Sequence, residues 1–420
     1  MAKIKKIEAR EILASGGAPT IEATVTLETG IVGEASVSYG ASAGSKEAFL
    51  MLDGDKARYN GKGMLNAIEN IKDVIAPVLM GQEGQQNIDK LMIELDGTEN
   101  KSKLGGNAIL AVSMAYARAA ASDAGKQLYE YLGEIYSLDK FNKLPKPMVV
   151  MIEGGKHADQ TTDLQEYLIS SLGNRSASEN VRVQMEIYEA LKKILKREGL
   201  SINVGNEGAF APNGITSNEK PMEYLVEAIK NAGYIPGVDV GISIDAAASE
   251  FYDLRNKIYD LRIEQRKLNS EELINYYLSW IDKYPFVSWE DMLSEFDWES
   301  WPTLSNRVKI SGGNFKVIAD DLTATNTKLL QRAIDEKAAT AILIKLNQAG
   351  TVTETIECCK KARANNFWTV VSHRGGGESN DTFMVDVAVA VGSEYIKCGP
   401  TRGERVAKYN RLMRIEENLK

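Results

Sequence analysis

Six residues in the second half of the chain carry most of its chemical promise. Asp245, Glu290, Asp320, Lys345, His373 and Lys397 lie 45, 30, 25, 28 and 24 residues apart. Each closes a short apolar run. Three acids come first and the basic groups follow. If the fold brings them together, three carboxylates repel one another unless a cation sits among them. Hard oxygen donors of this kind suit Mg²⁺. Lys345, His373, Arg374 and Lys397 would then face the metal across a cleft, a wall suited to a phosphate or carboxylate. Any one of the six could be an ordinary charged strand end. Six at recurring spacing, sorted by charge, argue for a shared site.

Two loops add to this set. The chain has two histidines. One is His373, and the other, His157, lies in the glycine-rich stretch EGGKHAD at 153–159. A second loop, GNEGAFAPN at 205–213, holds Glu207 among small and apolar neighbours. A carboxyl poorly solvated there would suit a general acid, though the stretch reads equally well as a plain turn. The small-residue stretch GASAGS at 40–45 suits a lid, and equally a plain turn. No phosphate-cradling P-loop, dinucleotide fingerprint or zinc spacing is present.

The elements that must position these residues follow from the pattern around them. Runs such as VGISID at 240–245 and AILIK at 341–345 are each followed by a helical stretch. The spacings match βα units of about 30 residues. Units in series predict a parallel sheet closed into a barrel, with all C-terminal strand ends opening on one mouth. The first part of the chain reads differently. Alternation over 20–27, a Thr-Gly turn and a second run at 31–38 predict a hairpin. A stripe of Ile68, Ile71, Val74, Ile75 and Val78, and the alanine-rich run after Ile109, predict helices. Strands followed by helices imply an α+β domain over 1–140, and the barrel takes 141–420, with Pro145 and Pro147 marking the boundary.

Composition narrows the function classes. A net charge of -8, with basic residues scattered among acids, gives no footprint for nucleic acid. The most apolar stretch, 108–121, is broken by Arg118 and is shorter than the roughly 20 residues that span a bilayer. The first residues, MAKIKK, lack the apolar core of a signal peptide. Three cysteines, Cys358, Cys359 and Cys398, are too few and too oddly numbered for a disulfide framework. A cytoplasmic protein is expected.

The motifs together resemble the enolase family over essentially the whole chain. The matching stretches are ELDGTENKSK at 94–103, GGKHAD at 154–159, SID at 243–245 with AASEF at 247–251, and DDL at 320–322 with Thr325 and Asn326. ILIK at 342–345 with Asn347 and Gln348, SHR at 372–374, RVAKYN at 405–410 and RIEE at 414–417 complete the set. The resemblance implies an N-terminal α+β cap on a modified barrel that opens ββαα before six βα units. It implies dehydration of 2-phosphoglycerate to phosphoenolpyruvate, two Mg²⁺ per active site, a small anionic phosphorylated substrate and a homodimer or higher homo-oligomer.

By position, Asp245, Glu290 and Asp320 resemble the ligands of the first Mg²⁺, and Ser42 the lid serine that reaches the second. Lys345 resembles the base that takes the C2 proton. Glu207, helped by Glu166, resembles the acid that expels the C3 hydroxyl. Gln165, His157, His373, Arg374, Gly375 and Lys397 match substrate-site positions. A lysine ringed by cations and partly desolvated is expected to titrate low enough to serve as a base.

The chain departs from the family in its site loops. The family's DSRGNPT reads ASGGAPT at 14–20, and its SGASTG lid reads YGASAG at 39–44. Glu153 replaces an asparagine, GNEGA at 205–209 replaces GDEGG, Gly375 replaces a serine whose hydroxyl helps hold phosphate, and Cys398 replaces a threonine. Gly16 removes an arginine that supports the subunit interface. Glu153 adds a negative charge that needs a partner, for which Lys156 is the candidate in sequence. The departures keep two alternatives open: a paralogue acting on a related phosphorylated or phosphonate substrate, similar to carboxyphosphonoenolpyruvate synthase, and a non-catalytic binding protein on the same scaffold, with C-terminal Lys420 as a contact.

Overall fold

The structure is a computed structural model that describes residues 2–40, 44–138 and 144–419. Ser42 and Ala43 of the expected lid, residues 139–143 around the expected domain boundary, and Lys420 lie outside the described residues.

The chain opens with an antiparallel sheet of β1 (Ile4–Leu13), β2 (Pro19–Leu27) and β3 (Val32–Ser36) in the order β1-β2-β3. The β2–β3 hairpin is the expected one. Strand β1 was not expected, because its sequence IKKIEAREIL hides only Ile4 and Ile7 fully and spaces them as a helix would. Along β2, every second residue from Ile21 to Leu27 is buried. The helix Gly106–Asp123 packs across β2 and β3. Its small residues permit close approach, and every position from Gly106 to Ala121 except Arg118 is buried. Arg118 reaches Asp381 of the second half of the chain through two hydrogen bonds of 2.7 and 2.8 Å.

The stripe around Ile68 is helical but is interrupted by a π-helical stretch, Asn70–Ile75. That changes its buried face. Ile68, Ile71, Ile75 and Leu79 are buried, whereas Val74 is half-buried and Val78 is exposed.

The second half is a closed eight-stranded barrel. Its strands are β4 (Lys146–Glu153), β5 (Glu166–Ser171) and β6 (Val240–Asp245), then, after a small side sheet of β7 (Tyr252–Asp253), β8 (Ile258–Leu261) and β9 (Arg266–Leu268), β10 (Phe286–Glu290), β11 (Lys316–Ala319), β12 (Ala341–Ile344), β13 (Trp368–Ser372) and β14 (Tyr395–Cys398). Strand β5 runs antiparallel to both β4 and β6, and all other barrel pairs are parallel. Two helices, Ala177–Arg197 and Lys220–Asn231, separate β5 from β6. The order is therefore ββαα followed by six βα units. Strands β6 and β10–β14 are the six apolar runs read from the sequence, shifted by at most one residue at either end.

Met148, Val150, Leu168, Val287, Ile318, Leu343 and Val370 form one inner cluster of the barrel. Hydroxyls cross the sheet nearby, with Ser170 and Ser288 each 2.9 Å from Ser243. A filled interior makes the barrel a rigid frame that holds its strand ends at fixed spacing.

Candidate active site

The strand ends converge on one small cavity. His157, Gln165, Glu166, Glu207, Asp245, Asp320, Lys345, His373, Arg374, Gly375 and Lys397 all line it. Of the described residues expected there, only Glu290 stands one layer behind, joined through Lys397. The Lys397 ammonium lies 2.7 Å from Glu290 Oε1, 2.9 Å from Asp245 Oδ2 and 2.9 Å from Glu166 Oε2. Three carboxylates around one buried ammonium hold Lys397 well above its ordinary range despite burial. Glu290 is pushed well above the carboxylate range by burial and the neighbouring Asp245.

The backbone at these ends is bent by local hydrogen bonds. Asp291 adopts a left-handed φ of 43°, an uncommon conformation for a residue with a side chain. Its carboxylate accepts the backbone amides of Asp320 and Asp321, each at 2.9 Å. This ties the end of β10 to the end of β11. Ala247, with φ of 44°, donates its amide to Asp245 Oδ1 at 3.0 Å. Left-handed residues held this way concentrate at functional sites.

Lys345 pairs closely with Asp320. Gln348 donates to the other Asp320 oxygen at 2.9 Å and is itself fixed by Thr325, which also accepts the Lys345 amide. The expectation of a lowered lysine is not met. Burial does pull the ammonium down, but the Asp320 carboxylate outweighs it and the group sits above its ordinary value.

On the opposite side, both histidines of the chain approach Glu207. His157 Nδ1 lies 3.3 Å from Glu207 Oε1 and 3.1 Å from Glu166 Oε1, while His373 Nε2 lies 3.2 Å from Glu207 Oε2. All four side chains are buried. Burial lowers His157, but Glu207 and Glu166 more than compensate and raise it to about 9. Burial, reinforced by Arg405, drives His373 well below its ordinary value. The two imidazoles are thus driven in opposite directions on either side of Glu207.

Arg374, also buried, pairs with Glu47 at 2.9 Å, so the N-terminal half supplies a residue to the site. Gly375 is packed tightly. A Cβ at this position would lie 2.4 Å from the His157 ring and 2.7 Å from Glu207 Oε1. The missing serine hydroxyl is therefore not an empty place, because the His157 ring fills it.

Lys156 pairs with Glu250 and not with Glu153. Glu153 is fully buried and is met by backbone amides instead. Sequence reading also missed Asp291, Asp321, Glu47 and Gln348. Asp291 and Asp321 each follow a strand-end acid directly, and the doublet was the available signal. Gln348 was legible only as part of the stretch that resembles the family, and Glu47 carried no signal.

Asp291, Asp320 and Asp321 hold carboxylate oxygens close enough together to share one metal ion. With Asp245 and Glu290 beside them, the donor set is all hard oxygen and lies where burial has raised the Glu290 carboxyl. These residues fit a divalent cation.

Two family models account for nearly the full length. One, described as the enolase N-terminal domain, matches residues 4–132, and the other, described as the enolase C-terminal TIM barrel domain, matches residues 141–420. The protein belongs to the enolase family.

Proposed function

We propose that the protein is a Mg²⁺-dependent hydro-lyase that converts 2-phosphoglycerate to phosphoenolpyruvate. The observation that carries this reading is the division of the cavity. A lysine stands on β12's end, a histidine-flanked carboxyl stands opposite, and acids line the floor between them.

Asp245, Glu290 and Asp320 would hold the first cation, with Ser42 reaching a second. Bound there, Mg²⁺ would stabilise the extra negative charge that a substrate carboxylate acquires when the adjacent C–H loses its proton. With a cation taking up the Asp320 charge, Lys345 would lose the partner that raises it, and its Nζ, then free of its proton, takes the one from C2. A proton shared by Glu207 and the His157 ring 3.3 Å away leaves through Glu207 with the C3 hydroxyl as water, because hydroxide alone is a poor leaving group. Glu166 and His157 orient Glu207. Lys397 and Arg374 bind the anionic ends of the substrate. A homodimer, which the family implies, is part of the same proposal and is tested by light scattering.

A second reading has one observation in its favour. Gly375 offers no hydroxyl and no room for one, so the phosphate pocket differs from the one the resemblance implies. This favours a related phosphorylated or phosphonate substrate. Ultraviolet absorbance of the enol double bond separates the two readings. Turnover of 2-phosphoglycerate that disappears with EDTA and in Lys345→Ala supports the first, whereas Mg²⁺ binding without turnover rejects it.

A further inference from the structure

One buried carboxyl beneath the acid loop has no part in the reaction above. Glu153 closes β4 and is fully buried. Its Oε1 accepts the backbone amides of Glu207 at 3.0 Å and Ala209 at 2.8 Å, and its Oε2 lies 3.1 Å from the Glu207 amide. The carboxyl fills the inside of the turn, where a Cβ on Gly205 would come within 2.4 Å of Oε2. The turn is also tied to β4 by the Glu153 amide, which donates to Phe210 O at 2.9 Å, and by the Phe210 amide, which donates to Met151 O at 3.0 Å. Ala209 packs into the inner barrel cluster. The loop is thus anchored at its far end, and Glu153 is what meets the amide of the acid itself.

Resting on the reading of Glu207 as the acid, we propose that Glu153 is a positioning residue: its carboxyl accepts the Glu207 and Ala209 amides and so fixes Glu207 between His157 and His373. Side-chain length is decisive. The asparagine that the resemblance places here is one methylene shorter and cannot fill the same turn from the same strand end. Charge is not required. Burial and the adjacent Glu207 push the Glu153 carboxyl well above its ordinary range, which favours its neutral form. Glutamine presents the same acceptor at the same reach.

The test compares Glu153→Gln, Glu153→Asn and Glu153→Ala in the full chain. Two readouts are used: hydrogen–deuterium exchange of the segment 204–210, and steady-state turnover of 2-phosphoglycerate with Mg²⁺. Glu153→Gln is expected to stay within about threefold of the parent in both. Glu153→Asn and Glu153→Ala leave buried amides unmet, so exchange should quicken about tenfold or more. Their kcat should fall by a similar factor with KM little changed, the sign of an interaction expressed in the transition state. Parent-like exchange and kcat in Glu153→Ala would overturn the proposal, and so would a Glu153→Gln variant as impaired as Glu153→Ala. If Glu153→Ala does not fold, the Gln and Asn pair decides. A parent enzyme inactive on 2-phosphoglycerate contradicts the substrate reading alone, and the exchange readout still decides the role of Glu153.

Discussion

His157 and His373 sit on either side of one carboxyl, yet their environments drive them in opposite directions. With only two imidazoles in the chain, both can be followed by NMR. One signal should titrate near 9 and move down in Glu207→Gln, and the other should stay neutral through the ordinary histidine range. A stability consequence follows. His157 titrates near 6.5 when unfolded and near 9 when folded. Its contribution is therefore fully present below about pH 6.5 and is lost as pH rises through about 9. In unfolding titrations, a His157→Gln variant should show a weaker decline across that window than the parent. Gly375 gives a second residue-scale prediction. Gly375→Ser restores the family's hydroxyl but drives its Cβ into the His157 ring. A fall of about tenfold or more in kcat/KM is expected, since displacing a positioned group by a fraction of an ångström is costly. A gain in turnover would show that the ring yields easily.

At the scale of elements, Asp291 joins β10 to β11 and shapes the Asp320 position. In Asp291→Ala, two backbone amides lose their acceptor, at about 1–3 kcal/mol for each that stays buried and unsatisfied. A lowered urea midpoint and weaker Mg²⁺ binding are expected together, and an unchanged midpoint would contradict the role. The six acid- or base-ended strands were legible because strands covered on both faces read as short, continuous apolar runs. Strand β1 was not, since it buries little and its two core isoleucines are spaced like a helix. The π-helical stretch was invisible for a related reason: periodicity assumes one turn length, and the inserted turn moves the buried position from Val78 to Leu79. The site residues that terminate strands could be read individually. Their partners could not. Glu153 is matched by main-chain amides, which carry no sequence signal, and the neighbouring Lys156 turns away to Glu250.

Across the whole molecule, the site belongs to both halves of the chain. Glu47 reaches Arg374, and Arg118 grips Asp381, so the cap helps fix the barrel loop that carries Arg374. The floor of the cavity concentrates carboxylates that could hold a metal ion, and on the proposed function a divalent ion would be a stabilising ligand. At a hundredfold its Kd, Mg²⁺ should add about 2.7 kcal/mol to stability. Thermal unfolding should therefore rise with Mg²⁺ in the parent and much less in Asp245→Asn or Asp320→Asn, and a parent midpoint indifferent to Mg²⁺ would contradict the metal assignment. No helix among the described residues is long and apolar enough to cross a membrane.

The claim that most needs testing is the division of labour between Lys345 and Glu207. Incubation of 2-phosphoglycerate with Mg²⁺ in D₂O separates proton removal at C2 from loss of the C3 hydroxyl. Glu207→Gln should wash deuterium into C2 while forming little phosphoenolpyruvate, and Lys345→Ala should do neither. Deuterium wash-in that persists in Lys345→Ala, or that vanishes in Glu207→Gln while the protein still binds Mg²⁺ and substrate, would contradict the account.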